Sequence, residues 1–228
     1  MMNVLAVVAH PDDEILGCGA TLKKLADQGH RVFSCVLCSA ADARHNRPSL
    51  ERLAKVSKEA SRLVGIADSI GYDFKNIQFN TVPHLEMVRA VEAAILRFKP
   101  EWIFTHHPGD LNVDHRVCYE TTVAAAMLPQ RLSSDLNPTM ISKVFLFEIL
   151  SSTDWSPPVG DGFRPNSFFD VSATFGAKLK ALEAFEGALK PFPHSRSREN
   201  VRNLANLRGA QVGLELAEAF SLIRDVNL

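Results

Sequence analysis

The region before residue 40 constrains the fold most, because a helical pattern lies between two short apolar runs. Residues 4–9 are apolar throughout, as expected for a strand that is covered on both faces. Residues 14–28 predict a helix that Gly29 ends, and residues 31–39 predict a second strand. Together the three segments predict a β-α-β unit, in which the two strands are parallel.

Strand and helix patterns continue to alternate along the chain, which predicts an α/β fold. Further strands are predicted at residues 69–72, 102–106 and 143–149. Helices are predicted at residues 49–63, 85–95, 116–127, 175–189 and about 199–224, and loops at residues 42–49 and 151–166. We therefore expect one Rossmann-like domain, residues 1–228, with a mainly parallel sheet and helices on both faces.

Composition argues against several function classes. The 228 residues carry a formal net charge of -1, so bulk electrostatics gives no reason to expect a nucleic-acid partner. No apolar run approaches the roughly 20 residues that span a bilayer, so no transmembrane segment is expected. The four cysteines, including Cys35 and Cys38 in an apolar run, are expected to be buried thiols in a reducing cytoplasm. The sequence leaves open whether the chain forms a homo-oligomer.

Two clusters of histidine and acid each follow an apolar run, at the point where a predicted strand ends. The first is H-P-D-D-E at residues 10–14, and the second occupies residues 105–116, at the end of the predicted strand 102–106. Acids packed this closely repel one another unless a proton or a cation lies among them. If the strand order is that of a Rossmann half, the two strands are neighbours and the two clusters meet.

The donors in these clusters suit one metal ion. Imidazole and carboxylate groups bind zinc, and iron or cobalt would also fit. His10 and Asp13 are three residues apart and can face one site from a helix start, where His115 can complete a set of three ligands. Because a metal lowers the pKa of its water, a neighbouring carboxylate can act as general base, and Asp12 is the natural candidate.

Each cluster also has a purely structural explanation. The three acids at residues 12–14 could complement a helix dipole, and Asp114 could cap the next helix. His10 could be a hydrogen-bonded core histidine. The conjunction of two such clusters after parallel strands favours a site. The G-C-G stretch at residues 17–19 fits no phosphate-loop pattern, so its glycines are expected to allow close helix–strand packing.

At these residues the chain resembles the PIG-L/LmbE family of zinc-dependent N-acetylglucosaminyl de-N-acetylases. The two signatures are A-H-P-D-D-E-I-L-G-C-G at residues 9–19 and H-P-G-D-L-N-V-D-H at residues 107–115. Weaker similarity continues through the rest of the chain, so the resemblance covers essentially all of it. It implies an LmbE-like fold in which His10, Asp13 and His115 hold zinc.

The resemblance also implies roles for two acids and a reaction. Asp12 corresponds to the general base, and Asp114 to the acid that orients or charges a neighbouring histidine. The implied reaction is hydrolysis of the N-acetyl group of an amino sugar, which is often linked to a lipid, inositol or nucleotide. The products are the free amine and acetate, and the implied setting is glycan biosynthesis.

One position departs from the family pattern. Many members carry a histidine three residues before the last ligand, where it is thought to stabilise the oxyanion or protonate the leaving amine; here the residue is Asn112. An amide can donate to an oxyanion but supplies no proton at neutral pH. We expect Asp12 to act first as base and then as acid; the alternatives are substitution by His106 or His107, or low activity. Asn112 also keeps open a non-catalytic sugar-binding homologue, and a hydrolase of another N-acyl group is a further alternative.

Basic side chains near the predicted site are candidates for substrate binding, because arginine recognises phosphate and carboxylate groups through paired hydrogen bonds. The alternative for each is a solvated surface residue. Four side chains are expected to contact the substrate: Arg52, His107, His194 and Arg196.

Overall fold

The structure is a computed structural model that describes residues 1–39, 49–127, 140–156, 162–185 and 187–227. The loop predicted at residues 42–49 lies outside these ranges except for Ser49. The strands in the described ranges are β1 (Asn3–Val8), β2 (Arg31–Val36), β3 (Ile66–Gly71), β4 (Trp102–His106), β5 (Lys143–Phe147), β6 (Ser167–Asp170) and β7 (Ala217–Asp225). They form a sheet in the order β3-β2-β1-β4-β5-β7-β6, in which β7 is antiparallel to its neighbours and the other pairs are parallel.

Helices connect the strands and confirm the predicted α/β class. They are α1 (Asp13–Asp27), α2 (Leu50–Leu63), α3 (His84–Phe98), α4 (Val113–Ala126), α5 (Phe175–Ala184) and α6 (Arg198–Ala210). Two short 3₁₀ turns, Phe79–Thr81 and Thr153–Trp155, interrupt the loops. Among the helices in the described part of the chain, none is both long and apolar enough to cross a membrane.

The sheet is covered on both faces, as the continuous apolar run of β1 predicts. Val4, Ala6 and Val8 point into one cluster of buried side chains, which α1, α2, α5 and α6 complete. Leu5 and Val7 point into the cluster on the opposite face, which α3 and α4 complete. Because side chains alternate along a strand, an apolar residue at every position requires helices on both sides.

The strands that precede the two acidic clusters are neighbours, as the predicted strand order requires. β1 pairs in parallel with β4, with Val4 opposite Trp102 and Ala6 opposite Phe104. The carboxyl ends of parallel strands lie at one edge of the sheet, so the residues after β1 and after β4 meet there. This edge is where ligands bind in open α/β sheets.

The C-terminal segment corrects one prediction. Residues 199–224 are predicted to be helical, but α6 ends at Ala210 and the chain returns as β7 between β5 and β6. Gly213 has φ +75°, and a Cβ atom on Gly209 would lie 2.5 Å from the Leu214 carbonyl oxygen, so the turn depends on glycine. Ala, Glu and Leu favour helices locally, but pairing along both edges of β7 overrides that preference.

Two smaller differences lie in the segments just before it. The helix predicted at residues 175–189 ends at Ala184, and Gly187 with φ +80° takes the chain into the loop before α6. The strand β6 was not predicted, because its four residues are too few to show an alternating pattern. It lies just after the predicted loop 151–166, of which residues 157–161 are outside the described ranges.

The prediction that glycine allows close helix–strand packing is confirmed at Gly17, whereas a Cβ atom on Gly19 would meet Ile15 of its own helix and Lys178 of α5. A Cβ atom on Gly17 would lie 2.3 Å from the Phe147 ring, so α1 approaches β5 closely only because this residue is glycine. Cys18, Cys35, Cys38 and Cys118 are all buried free thiols.

Candidate active site and metal centre

The turn between β1 and α1 brings His10 and Asp13 together. The Ala9 N–H donates to His106 Nε2 at 3.0 Å, and the His10 N–H donates to Asp13 Oδ2 at 2.9 Å. Asp12 has φ 96°, a left-handed conformation that is uncommon for residues other than glycine but is best tolerated by residues such as Asp and Asn. This sharp turn allows a histidine and an aspartate three residues apart to face the same space.

Three side-chain donors converge on that space. His10, Asp13 and His115, which lies in the first turn of α4, offer ligand atoms within 4.8 Å of one another. Asp13 Oδ2 is 3.3 Å from His10 Nδ1 and 3.3 Å from His115 Nε2. Ligands about 2.0–2.1 Å from a tetrahedral zinc are about 3.3–3.4 Å apart, so the two separations from Asp13 match those around one such ion.

Two further carboxylates face the outer nitrogens of the two histidines. Asp114 Oδ2 is 2.9 Å from His10 Nε2, and Asp110 Oδ2 is 3.2 Å from His115 Nδ1. A histidine that donates one N–H to a carboxylate keeps its other nitrogen free for a metal. Asp114 therefore lies where it can orient His10, and Asp110 lies where it can orient His115.

Asp114 also shapes the loop that follows β3. Its carboxylate accepts the backbone N–H groups of Ile77 at 2.5 Å and Phe79 at 3.1 Å. Ile77 has φ 60°, which is strained for a β-branched residue. One buried carboxylate thus fixes a histidine of the centre and a half-exposed isoleucine in the cavity wall.

Sequence reasoning missed Asp110, although it lies within the second cluster. Its Oδ1 accepts the Asn112 N–H at 2.8 Å and the Ser152 hydroxyl, and its Oδ2 accepts the Thr153 hydroxyl at 2.7 Å. Ser152 and Thr153 follow β5, so only the tertiary structure brings them here. The available signal was a second acid, besides Asp114, between the two histidines of H-P-G-D-L-N-V-D-H.

The charges in the cluster favour bound cations. Burial alone would lower the pKa of His10, but hydrogen bonds to Asp114 and Asp13 outweigh it and raise the pKa to about 9. Burial also opposes protonation of His115, yet Asp13 and Asp110 raise its pKa to about 10. Burial raises the pKa of Asp13, but the histidines hold it well below its ordinary value. The carboxylates can therefore hold protons on the histidines or a metal ion between them.

Asp12 lines the same cavity as the three converging donors. It is 3% exposed and stands at the N-cap position of α1, but its side chain makes no capping hydrogen bond. The Asp12 carboxylate therefore does not cap the start of α1. Its position beside His10 and Asp13 is the one a general base would need.

Asn112 rather than Asp114 caps α4, which corrects the capping alternative. Its Oδ1 accepts the Asp114 N–H at 2.9 Å, and the residue lines the cavity. Because the amide oxygen is used by the helix, the Nδ2 group is the end available to donate to a ligand. That orientation is the one an oxyanion donor requires.

The two histidines at the end of β4 are differently placed. His106 Nε2 accepts the Ala9 N–H, and burial together with the neighbouring His115 lowers the pKa of His106 to about 3. His106 is thus a neutral residue that supports the turn. His107 Nδ1 accepts the Gly109 N–H at 3.0 Å, and its ring meets the Phe163 ring edge-on.

The centre opens into a cavity of about 580 Å³, within the usual range for small-molecule sites. Of the four predicted substrate contacts, Arg196 is among the described residues that line it, and Arg52, His107 and His194 are not. Arg52 is exposed at the start of α2, and the exposed His194 accepts the Arg196 N–H on its Nδ1. The remaining wall is largely apolar: Leu53, Ile77, Leu111, Val113, Ile149 and Phe185.

Comparison with known proteins identifies the family of the chain. The model of the PIG-L family, described as GlcNAc-PI de-N-acetylases, matches residues 5–126, more than half of the chain. The chain belongs to this family. It is 30% identical over 149 residues to an Escherichia coli protein described as the uncharacterized deacetylase YaiS, covering 61% of this chain and 77% of that one. It is 28% identical over 194 residues to a Bacillus cereus protein described as a probable N-acetyl-alpha-D-glucosaminyl L-malate deacetylase 2, covering 80% and 81%.

A solved structure with a different chemistry shares the fold. The crystal structure of GalB, the 4-carboxy-2-hydroxymuconate hydratase from Pseudomonas putida KT2440, superimposes with a TM-score of 0.81 at 17% identity. The match covers 100% of this chain and 98% of that one. The fold therefore supports more than one reaction, and the function of this PIG-L family chain has to be argued from its site.

Proposed function

We propose that this protein is a metal-dependent hydrolase that removes the N-acetyl group from a GlcNAc-type amino sugar. The observation that carries the proposal is the convergence of His10, Asp13 and His115 beside Asp12 in one cavity. Membership of the de-N-acetylase family and two relatives described as deacetylases support the same activity. In its Bacillus cereus relative the sugar is linked to a small organic acid, and a lipid- or nucleotide-linked sugar would place the same amide at the centre.

His10, Asp13 and His115 would hold one divalent ion. We propose zinc, because imidazole and carboxylate suit it and the donor spacing fits a tetrahedral ion; iron and cobalt accept the same donors. When bound, such an ion lowers the pKa of a water molecule and polarises the acyl oxygen. The outer carboxylates of Asp114 and Asp110 would keep the two histidines in the orientation that binding requires.

The side chains around the ion would carry the proton transfers. Asp12 takes a proton from the attacking water as the oxygen adds to the amide carbonyl carbon. Asn112 donates through Nδ2 to the developing oxyanion, because its Oδ1 is held by the Asp114 N–H. Asp12 then returns the proton to the leaving nitrogen as the C–N bond breaks, and the products are the free amine and acetate. His106 is not proposed as the acid, because its Nε2 accepts the Ala9 N–H.

Substrate contacts follow from the cavity wall. Arg196 is the proposed contact with the strongest support, because it lines the cavity. Arg52, His107 and His194 stay proposed contacts, with less support because they do not line the cavity. We also propose a reducing, cytoplasmic setting, since all four cysteines are free and buried.

A weakly active or purely sugar-binding protein is the second candidate. The observation that favours it is Asn112, which cannot supply a proton in the way a histidine could. A hydrolase of a different N-acyl group is the other alternative, since nothing in the donor set selects acetate.

The test is amine release from N-acetylglucosamine compounds by the metal-loaded protein, with free, nucleotide-linked and lipid-linked sugars. We expect turnover of at least one compound by the wild type and none by Asp12→Ala, although this variant still binds metal. If no compound is cleaved but Asn112→His gains activity, the natural chain is a binder or acts on another acyl group. If neither protein releases amine, the proposed deacetylase activity is wrong.

A further inference from the structure

Arg196 is a cation in the cavity wall that has no anionic partner among the residues that the structure describes. Its Nε–H is buried and makes no hydrogen bond with any residue that the structure describes. It forms no salt bridge with the described residues either, although it shares the cavity with Asp12 and Asp13. A buried guanidinium donor without an acceptor is costly, so it is expected to find one in a ligand.

The neighbouring arginines differ, because each is already paired. Arg208 binds Glu148 through both nitrogens at 2.7 and 2.8 Å, and Arg198 forms a salt bridge with Glu183. Arg116 donates to two backbone carbonyl oxygens. These contacts leave Arg196 as the arginine that the described cavity wall offers to a ligand.

The loop that carries Arg196 is internally bonded. The Arg196 N–H donates to His194 Nδ1 at 3.0 Å, and the Lys190 N–H donates to the Arg196 carbonyl oxygen at 3.0 Å. The next residue, Ser197, is fully buried and caps α6 by accepting the Asn200 N–H. The backbone of Arg196 is therefore fixed before a ligand arrives, which lowers the entropy lost on binding.

The apolar side chains around Arg196 increase the value of a charged contact. Ile149, Phe185 and Leu53 line the same cavity, and their side chains offer water no hydrogen bonds. Electrostatic attraction is stronger where less water screens it, and a neutral sugar hydroxyl gains less from a guanidinium than an oxyanion does.

We propose that Arg196 selects substrates in which the N-acetylated sugar carries a carboxylate or phosphate on its aglycone. This inference rests on the proposed function, because it assumes that the sugar amide lies at His10, Asp13 and His115. Carboxylate and phosphate share the chemistry that Arg196 recognises, namely two adjacent oxygens that accept paired N–H groups.

The test measures binding rather than turnover. Calorimetry on the metal-loaded Asp12→Asn protein compares methyl, carboxymethyl and 1-phosphate derivatives of N-acetylglucosamine, and repeats the series after Arg196→Gln and Arg196→Lys. We expect the two anionic compounds to bind roughly 10- to 100-fold tighter than the methyl glycoside, which corresponds to charge-assisted hydrogen bonds. Arg196→Gln should bring that ratio close to one.

Two controls make the result specific. Arg198→Gln removes a nearby arginine that does not line the cavity, so it should leave the ratio unchanged. Arg196→Lys keeps the charge but loses the planar fork, so it should preserve phosphate binding better than carboxylate binding if phosphate is the natural group. Equal losses for both compounds would show that both groups are held by paired hydrogen bonds, the chemistry that the inference assigns to Arg196.

The inference and the proposed function fail in different ways. If the ratio is near one with Arg196 in place, if Arg196→Gln leaves it unchanged, or if no compound binds, the inference is wrong. Amine release by the wild type from the same compounds tests the hydrolase separately. Retained anionic selectivity without any amine release would contradict the proposed activity and leave the assignment of Arg196 standing.

Discussion

Two regions of this molecule bury charged side chains, and they are built in opposite ways. In the core beneath α1, Lys178 Nζ donates to Glu218 Oε1 at 2.6 Å and to the Leu16 carbonyl oxygen at 2.7 Å. Glu218 also accepts the backbone N–H groups of Ala20 at 3.2 Å and Thr21 at 2.7 Å. Lys178 and Glu218 thus pair with each other and with backbone groups of the protein. These contacts link β7 and α5 to α1, the helix that carries Asp13.

Beyond the carboxyl ends of β1 and β4, by contrast, the charged side chains face a cavity. The donor atoms of His10, Asp13 and His115 point toward one another across the position that an ion would take, and a cavity opens beside them. Asp114 shares a hydrogen bond with His10 on the far side of its ring, and Asp110 lies 3.2 Å from the outer nitrogen of His115. Burial of charge alone therefore does not identify a functional site; ligand atoms left converging on a cavity do.

Asp12→Asn is expected to have the largest effect on activity, because it removes the proposed base without removing a metal donor. The kcat for amine release should fall roughly 10²- to 10⁴-fold, the usual contribution of general acid–base catalysis. Elemental analysis should show an unchanged metal content. Loss of metal together with activity would place Asp12 among the ligands and contradict the assignment.

Lys178→Met should affect stability and leave the metal centre intact. The substitution leaves the buried Glu218 carboxylate without its lysine partner. Breaking a buried ion pair in this way lowers the free energy of unfolding by roughly 3–5 kcal/mol. Urea denaturation measures the loss, and metal content is measured on the folded protein. An unchanged stability, or a loss of metal without a loss of stability, would contradict the assignment of the Lys178–Glu218 pair to stability and of the other region to metal binding.

Removal of metal from the candidate site at His10, Asp13 and His115 should lower the free energy of unfolding by less than Lys178→Met does. Free metal at 100 times its dissociation constant should stabilise the folded protein by about 2.7 kcal/mol relative to the chelated protein. Thermal denaturation with and without chelator measures this difference. Lys178→Met should retain the response, and Asp13→Ala should lose it; a response in Asp13→Ala would indicate a different site.

Asp110→Asn is expected to have the smallest of these effects. The amide keeps the shape of the side chain but weakens the orientation of His115, so metal affinity should fall roughly 10- to 100-fold. Competition with a chelator of known affinity measures it. Asp170→Asn on the surface serves as the matched substitution and should leave affinity unchanged; equal effects of both would rule out a specific contribution of Asp110.

The sequence predicted those parts of the fold that local patterns specify. Continuous apolar runs and helical spacing identified β1, α1, β2 and β4, and their order placed the two acidic clusters at one sheet edge. The same reasoning failed for β7, whose residues favour a helix until β5 and β6 offer hydrogen-bonding partners on both sides. Long-range pairing is not encoded in a short window of sequence.

The site divides along the same line. The sequence by itself placed His10, Asp12 and Asp13 just after one predicted strand and placed Asp114 and His115 in the segment after another, because residue type and spacing are local properties. Only the tertiary structure decided which histidine each outer carboxylate faces and that Ser152 and Thr153 hold Asp110. It also decided that the Asn112 Oδ1 atom is used by α4 and that the buried Arg196 Nε has no hydrogen-bond partner within the described ranges, because partners distant in sequence meet a polar atom only after folding.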